Sequence, residues 1–253
     1  MLRWSIAAHR RGENMRFLAL ACDYDGTLAH DGRVEASTIA ALERVRASGR
    51  KLLLVTGRQL DDLRSVFVEI DLFDRVVAEN GALLYDPRTQ RERAIAEPPP
   101  AAFVEALRRR YVPVSVGRVI VATWEPHERE VLEIIRDLEL GLHVIFNKGA
   151  VMVLPAGVSK ASGLAAALGD LGLSPHHVVG IGDAENDHAF LSACECAVAV
   201  ANALPTIRER ADVVTNSEAG AGVEELAGEL VANDLASWGS ACSRLREPAP
   251  SSI

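Results

Sequence analysis

The stretch FLALACDYDGT, Phe17–Thr27, decides the fold. Phe17 to Cys22 is a short unbroken apolar run, the pattern of a strand covered on both faces in a parallel sheet. It stops at once in Asp23 and Asp25, two carboxylates two residues apart. Side chains so spaced at a strand end project to the same side, and Gly26 lets the backbone turn sharply. One carboxylate can attack while the other handles protons. A calcium loop is the structural alternative. It needs Gly at its sixth position and Glu at its twelfth, where counting from Asp23 gives Leu28 and Val34, and the preceding element reads as a strand rather than a helix.

Outward from that strand, Ser37 or Thr38 caps a helix on which Ile39, Leu42 and Val45 recur at helical spacing until Gly49. Leu52–Val55 is a second buried strand and ends in the polar turn Thr56-Gly57-Arg58. A helix around Leu60–Val68 and a strand Arg75–Ala78 lead into Glu79-Asn80-Gly81. The character changes near residue 82. Tyr85-Asp86-Pro87 is a turn, Pro98-Pro99-Pro100 a rigid break, a helix covers about 101–110, and Val112–Trp124 alternates better than the earlier strands. Pro126 opens a helix with Val131, Ile134, Ile135 and Leu138 on one face, and His143–Leu154 reads as two strands joined by Asn147-Lys148-Gly149. After Pro155 the first style returns: a helix from about Ser159 to Leu171, Ser174-Pro175 as a cap with Pro at the first helical position, a buried strand Val178–Ile181, and two more strands at Ala197–Val200 and Asp212–Val214. The architecture predicted is α/β, a doubly wound parallel-sheet core made of 15–81 and 156–236, with a small α+β cap, 82–155, inserted. Ligands of such sheets bind outside the carboxyl ends of the strands, where the polar clusters all fall.

The 253 residues are 49% hydrophobic and 25% charged, which suits a well-buried core in one or two domains and excludes disorder and fibre. Lys and Arg total 27 against 35 Asp and Glu, a net charge of −8, so no global field attracts nucleic acid or an anionic membrane. No apolar run approaches the roughly 18 residues of a membrane span. Four cysteines are too few for a disulfide scaffold, and Cys194-x-Cys196 lacks a second ligand pair at zinc-site spacing; reduced thiols in a cytoplasmic protein are expected. Residues 1–14 carry Arg3, Arg10 and Arg11 without a continuous apolar stretch and do not read as a secretion signal; they are an upstream extension or a mis-chosen start. The tail 237–253 reads as frayed.

Gly182-Asp183-Ala184-Glu185-Asn186-Asp187 adds carboxylates after the third buried strand. Gly180-x-Gly182 lacks the third glycine of a dinucleotide loop, and a plain helix cap is the competing reading. Taken with Asp23 and Asp25, however, Asp183 and Asp187 put four negative charges on one edge. Crowded carboxylates raise one another's pKa unless a cation sits among them, and a hard divalent ion such as Mg²⁺ answers this, whereas zinc is disfavoured without His or Cys. Lys160, opening a helix, offers an ammonium to a carboxylate nucleophile and an anionic substrate, or is a solvated surface lysine. Gly157-x-Ser159 is not a serine nucleophile elbow, since Ala161 stands at the fifth position. Thr56-Gly57-Arg58 supplies a hydroxyl, an N–H and a guanidinium, all phosphate-binding groups, or is merely a turn; no nucleotide-binding P-loop is present.

Asp23-Tyr24-Asp25-Gly26-Thr27, Thr56-Gly57-Arg58, Lys160 and Gly182–Asp187, in that order, resemble the four signature motifs of the haloacid dehalogenase (HAD) superfamily of phosphatases, over about 15–225. An insert between the second and third motifs is similar to the Cof-type subfamily with a C2 cap, as are Glu79-Asn80-Gly81-Ala82, Ala201-Asn202-Ala203 and Gly222-Val223. The resemblance implies a Rossmann-like core and a Mg²⁺-dependent phosphomonoester hydrolase. Asp23 is then the nucleophile that becomes an aspartyl-phosphate and Asp25 the acid/base. Thr56 bonds the transferring phosphoryl oxygens, Lys160 neutralises charge, and Thr56, Gly57, Arg58, Asn80, Lys160 and Asn186 surround the substrate. Mg²⁺ falls to Asp23, the Asp25 carbonyl and Asp183, with Asp187 additional or outer. Ala161, His188 and Phe190 depart from the usual pattern. The small cap resembles that of archaeal-type phosphoglycolate phosphatases, which implies phosphoglycolate or a similarly small phosphorylated metabolite. The alternatives are a sugar-phosphate phosphatase, a phosphomutase, or a phospho-ligand binding module that kept the fold. Oligomeric state is left open. Of the cap residues, Arg118, Trp124, His143 and Lys148 read first as solvated surface residues and second as facing the substrate.

Overall fold

Apolar runs bounded by Gly, Pro and Asp turns set most of the elements in the computed structural model, which describes residues 15–242; the extension 1–14 and residues 243–253 of the tail lie outside the described residues. First come β1 (Ala19–Cys22), α1 (Ala36–Ala47), β2 (Lys51–Val55), α2 (Leu60–Val66), β3 (Arg75–Ala78), β4 (Leu83–Asp86) and β5 (Arg91–Ala94). The insert holds α3 (Ala101–Arg109), β6 (Ser115–Val116), β7 (Val121–Trp124), α4 (Glu128–Asp137), β8 (Leu142–Asn147) and β9 (Ala150–Pro155). The chain returns through α5 (Lys160–Leu171), β10 (Val178–Gly182), α6 (His188–Ala193), β11 (Cys196–Ala199), α7 (Pro205–Arg208), β12 (Val213–Val214) and α8 (Ala219–Asn233).

The large sheet runs β12-β11-β10-β1-β2-β3-β4-β5, parallel from β12 to β3. From β1 the chain steps one way through β2 and β3; after the insert it steps the other way through β10, β11 and β12. Right-handed crossovers then place the two helix groups on opposite faces, and α1 packs on α8 while α5 packs on α6. Ala19–Cys22 and Val178–Gly182 are wholly buried, as unbroken apolar runs require. The switch point between β1 and β10 is therefore a crevice walled by Asp23 on one side and Asp183 on the other.

The insert's sheet runs β6-β7-β9-β8, all antiparallel. Alternation divides its two faces. Val121, Val151 and Val153 pack on Phe103 and Leu107 of α3 and Val131 and Ile134 of α4. Ile120, Ala122, Met152 and Leu154 pack together on the other side, against Ala82 and Val158.

Several expectations are corrected. The insert was expected to begin at 82, but β4 and β5 extend the large sheet as antiparallel strands. Leu83, Leu84 and Tyr85 belong to the main core, while Arg-Glu-Arg-Ala of β5 is an exposed, charged outer edge that apolar periodicity does not reveal. Neither Ser37 nor Thr38 caps α1, which starts one residue earlier; Thr38 instead donates to Glu224 of α8 at 2.8 Å. Residues 237–242 are not frayed: Trp238 packs on the core and Cys242 is buried. Cys242 forms a disulfide with Cys196 across 46 residues, while Cys22 and Cys194 are free and buried. Spacing alone hides that pair, because it depends on the terminal segment folding back on β11. Among the described residues no helix is long and apolar enough to cross a membrane.

Candidate active site

Asp23 is the first residue beyond β1 and its N–H donates to the Ile181 carbonyl of β10, which fixes it at the switch point. The chain then turns tightly, with Gly26 N–H on the Ala29 carbonyl and Ala29 N–H on the Tyr24 carbonyl. Gly26 has φ +88°, and a Cβ there would stand 2.4 Å from Asp183 Oδ2, so this turn admits only glycine. Asn202 braces it: its Nδ2 donates to the Gly26 carbonyl at 2.8 Å and its Oδ1 accepts from Ala219 N–H at 2.7 Å.

Lys160 opens α5 behind a Ser159 cap and is 1% exposed. Its Nζ donates to Asp23 Oδ1 and Asp187 Oδ1, both at 2.6 Å, and stands 5.8 Å from the Phe190 ring centre. Asp187 Oδ2 accepts from the N–H groups of Asp183 and Ala184, so both of its oxygens are engaged. Thr27 Oγ1 donates to Asp183 Oδ1 at 3.3 Å. Burial, with Asp187 and Asp183 adding repulsion against the pull of Lys160, raises the Asp23 pKa well above the ordinary 3.8. Burial likewise raises that of Asp183. Burial opposes the charge on Lys160, but Asp187 and Asp23 outweigh it and hold the ammonium above its ordinary range.

The side chain of Asp25 turns to Arg58, which grips it with Nε and Nη2 at 2.8 and 2.7 Å and holds Asp62 with Nη1. Thr56 is fully buried after β2; its Oγ1 accepts from Arg58 N–H and its carbonyl from Asn80 N–H. Asn80 and Asn186 meet through Asn186 Nδ2 on Asn80 Oδ1 at 3.0 Å, leaving Asn80 Nδ2 and Asn186 Oδ1 buried without partners among the described residues. Gly57 lies beside both. The structure thus gathers Asp23, Lys160, Asp183 and Asp187 in one cluster, with Asp25 and Arg58 on its rim and Thr56, Gly57, Asn80 and Asn186 on the adjoining wall.

Over this cluster a cavity of about 700 Å³ opens between core and insert, lined by Asp23, Arg58 and Lys160 below and by Ala122, Trp124 and Met152 above. Lys148, read from sequence as a surface residue, enters the site. Its Nζ donates to Asp183 Oδ2 at 2.9 Å and to the Asp25 carbonyl at 3.1 Å. Half-burial opposes its charge, but the Asp183 carboxylate outweighs this and raises its pKa. Trp124 lines the cavity and is 62% exposed. Arg118 instead ties the insert to Asp61 and Glu92, and His143 is not part of the lining. Sequence reasoning gave Glu79 no role. Its fully buried carboxylate accepts the N–H groups of Arg118, Val119 and Ile120 at 2.7–2.9 Å, seating the insert on the loop that carries Asn80.

One oxygen each of Asp23, Asp183 and Asp187 lie within 4.8 Å of one another, and the Asp25 carbonyl faces the same place as Asp183. An all-oxygen donor set, in which burial and carboxylate repulsion lift the pKa values of Asp23 and Asp183, suits a hard divalent ion.

The sequence matches the haloacid dehalogenase-like hydrolases over residues 20–118 and 115–226. It is 33% identical over 214 residues to a phosphoglycolate phosphatase of Methanothermobacter thermautotrophicus, covering 82% of this chain and 96% of the relative. It is 27% identical to a phosphoglycolate phosphatase of Saccharolobus solfataricus, covering 86% and 94%. A haloacid dehalogenase-like hydrolase from Bacteroides thetaiotaomicron shares the fold with a TM-score of 0.71 at 16% identity, over 85% of this chain and 99% of the other. A phosphatase of the superfamily from the same organism superposes with a TM-score of 0.67 at 26% identity, over 87% and 96%. The chain is a phosphatase and belongs to the haloacid dehalogenase-like hydrolase family.

Proposed function

We propose that this enzyme hydrolyses a small phosphomonoester through a phosphoryl group carried on Asp23, with Mg²⁺ as its metal. The observation that carries the reading is the convergence of Asp23, Lys160, Asp183 and Asp187 from three distant chain segments within hydrogen-bond and ligand distances. Asp23, Asp183 and the Asp25 carbonyl would hold Mg²⁺, with Asp187 backing them through Lys160 and the Asp183 N–H. When bound, the ion supplies positive charge that offsets the repulsion between carboxylate and phosphoryl oxygens.

Asp23 attacks phosphorus with one carboxylate oxygen as the ester oxygen departs. Lys160 steadies the charge on Asp23 and on the phosphoryl group. Thr56, the Gly57 N–H, Asn80 and Asn186 face the transferring oxygens, and the orphaned Asn80 Nδ2 gains an acceptor there. Asp25 donates its proton to the leaving alkoxide, then takes one from the water that splits the aspartyl-phosphate. The ion pair between Arg58 and Asp25 opens for these proton transfers. This is positioning plus electrostatics, as phosphoryl transfer requires.

Phosphoglycolate is the first substrate to test, from the names of the relatives and the small insert. The cavity of about 700 Å³ also admits a larger leaving group, which keeps sugar phosphates as a second reading. The test is phosphate release from a panel of phosphoglycolate, glycerol phosphates and hexose phosphates with Mg²⁺ or EDTA. Turnover that EDTA abolishes is expected; failure on every ester contradicts the reading.

A further inference from the structure

Lys148 sits in the two-residue turn between β8 and β9, where Asn147 pairs with Ala150. Lys148 and Gly149 have φ of +47° and +83°, a turn geometry that Asn-Gly fills with least strain. A lysine held left-handed at a cleft invites a functional reading. Two other cations line the cavity, and both are tied to core carboxylates: Arg58 by Asp25 and Asp62, Lys160 by Asp23 and Asp187. The partners of Lys148 are Asp183 Oδ2 and the Asp25 carbonyl, the oxygens assigned above to the divalent ion. An ammonium and a divalent ion repel and cannot share two oxygens at such distances. The Lys148 side chain is half exposed on a hairpin tip, and the space beside it is the cavity between Trp124, Thr123 and Met152.

We propose that Lys148 is the specificity residue of the cap: it yields Asp183 and the Asp25 carbonyl to the metal and then pairs with a carboxylate on the leaving group of the phosphoester. The inference rests on the phosphatase reading with a phosphorylated small hydroxy acid as substrate, and adds to it the cap residue that selects the carboxylate. A carboxylate fits better than a second phosphate. One ammonium is a single point charge, and the wall around it, Ile120, Ala122, Ala150 and Met152, brings no other cation.

The test compares wild type, Lys148→Ala and Lys148→Arg. Calorimetric titration of Mg²⁺ without substrate is expected to show several-fold tighter binding in Lys148→Ala, because the competing ammonium is gone. The kcat/KM preference for phosphoglycolate over ethyl phosphate, its analogue without the carboxylate, is expected to fall about tenfold or more in Lys148→Ala, through KM, with partial recovery in Lys148→Arg. Unchanged or weaker Mg²⁺ binding overturns the proposal, as does an unchanged preference. Wild type that hydrolyses other esters but neither of these two overturns the proposal; wild type inactive on every ester of the panel overturns the phosphatase reading instead, and the Mg²⁺ titration still decides the fate of Lys148.

Discussion

Core and insert meet the same cavity with opposite designs. On the core side Asp23 and Asp183 are each 4% exposed and Lys160 1%, and every one is held by bonds from strand ends or a helix start. On the insert side the wall is an alternating strand face, and its charged contribution is the half-exposed Lys148 at the tip of a hairpin. Groups that attack and stabilise must be held within tenths of an ångström, and rigid strand ends do that. Recognition of a leaving group tolerates a movable tip, which sequence change can re-equip without disturbing the chemistry.

The sharpest way to break the comparison lies in the core. Asp23→Asn keeps the shape but removes the proposed nucleophile and metal ligand together, so kcat is expected to fall on the order of 10⁴-fold or more with an unchanged circular dichroism spectrum. Residual turnover near wild type would show that chemistry is not fixed on β1. Lys160→Met strips the cation from two buried carboxylates and is expected to cost about 3–5 kcal/mol, read as a lower urea midpoint at constant slope. An unmoved midpoint would mean that the cluster is not balanced by that ammonium.

At the seam, Glu79→Ala orphans three N–H groups, each costing about 1–3 kcal/mol when buried. KM is expected to rise more than kcat falls, since the insert loosens while the core cluster stays; equal loss in both would contradict that separation. Removal of metal gives a smaller, pH-dependent effect. Asp23 and Asp183 have folded pKa values raised above the ordinary 3.8, so as pH climbs from there the unfolded chain sheds these protons first. The folded state then binds more protons, and their contribution to stability without metal falls with rising pH. At one fixed concentration Mg²⁺ is therefore expected to raise the melting temperature more at pH 7 than at pH 5; where that concentration is 100 times the dissociation constant, the ion contributes about 2.7 kcal/mol. A shift independent of pH would count against metal binding by those two carboxylates. Smallest of all, Thr38→Ala loses the bond to Glu224 and about 1 kcal/mol, with activity untouched; a loss of activity would contradict the separation of this contact from the site.

The core was legible because its strands are unbroken apolar runs ending in the carboxylates that meet at the cavity, as at Cys22-Asp23 and Ile181-Gly182-Asp183. The insert was legible as a module but not in its edges. Arg91–Ala94 carries no apolar signal, and the contact between Glu79 and residues 118–120 joins segments about 40 apart through backbone N–H groups that no side-chain pattern encodes. Lys148 was misplaced for a related reason: Asn147-Lys148-Gly149 announces a turn, and turn lysines are ordinarily solvated, so only the docking of the hairpin over Asp183 reveals its reach. Asn202 and Thr27 stood in recognised stretches, yet their bonds to Gly26 and Asp183 depend on three segments meeting.

The most direct measurement is rapid acid quench of the enzyme turning over phosphoglycolate with Mg²⁺, followed by peptide mapping. A phosphoryl group on the peptide bearing Asp23, absent with EDTA and in Asp23→Asn, is the expected result. Steady turnover with no phosphoryl group there, or with the label on another residue, would contradict the account.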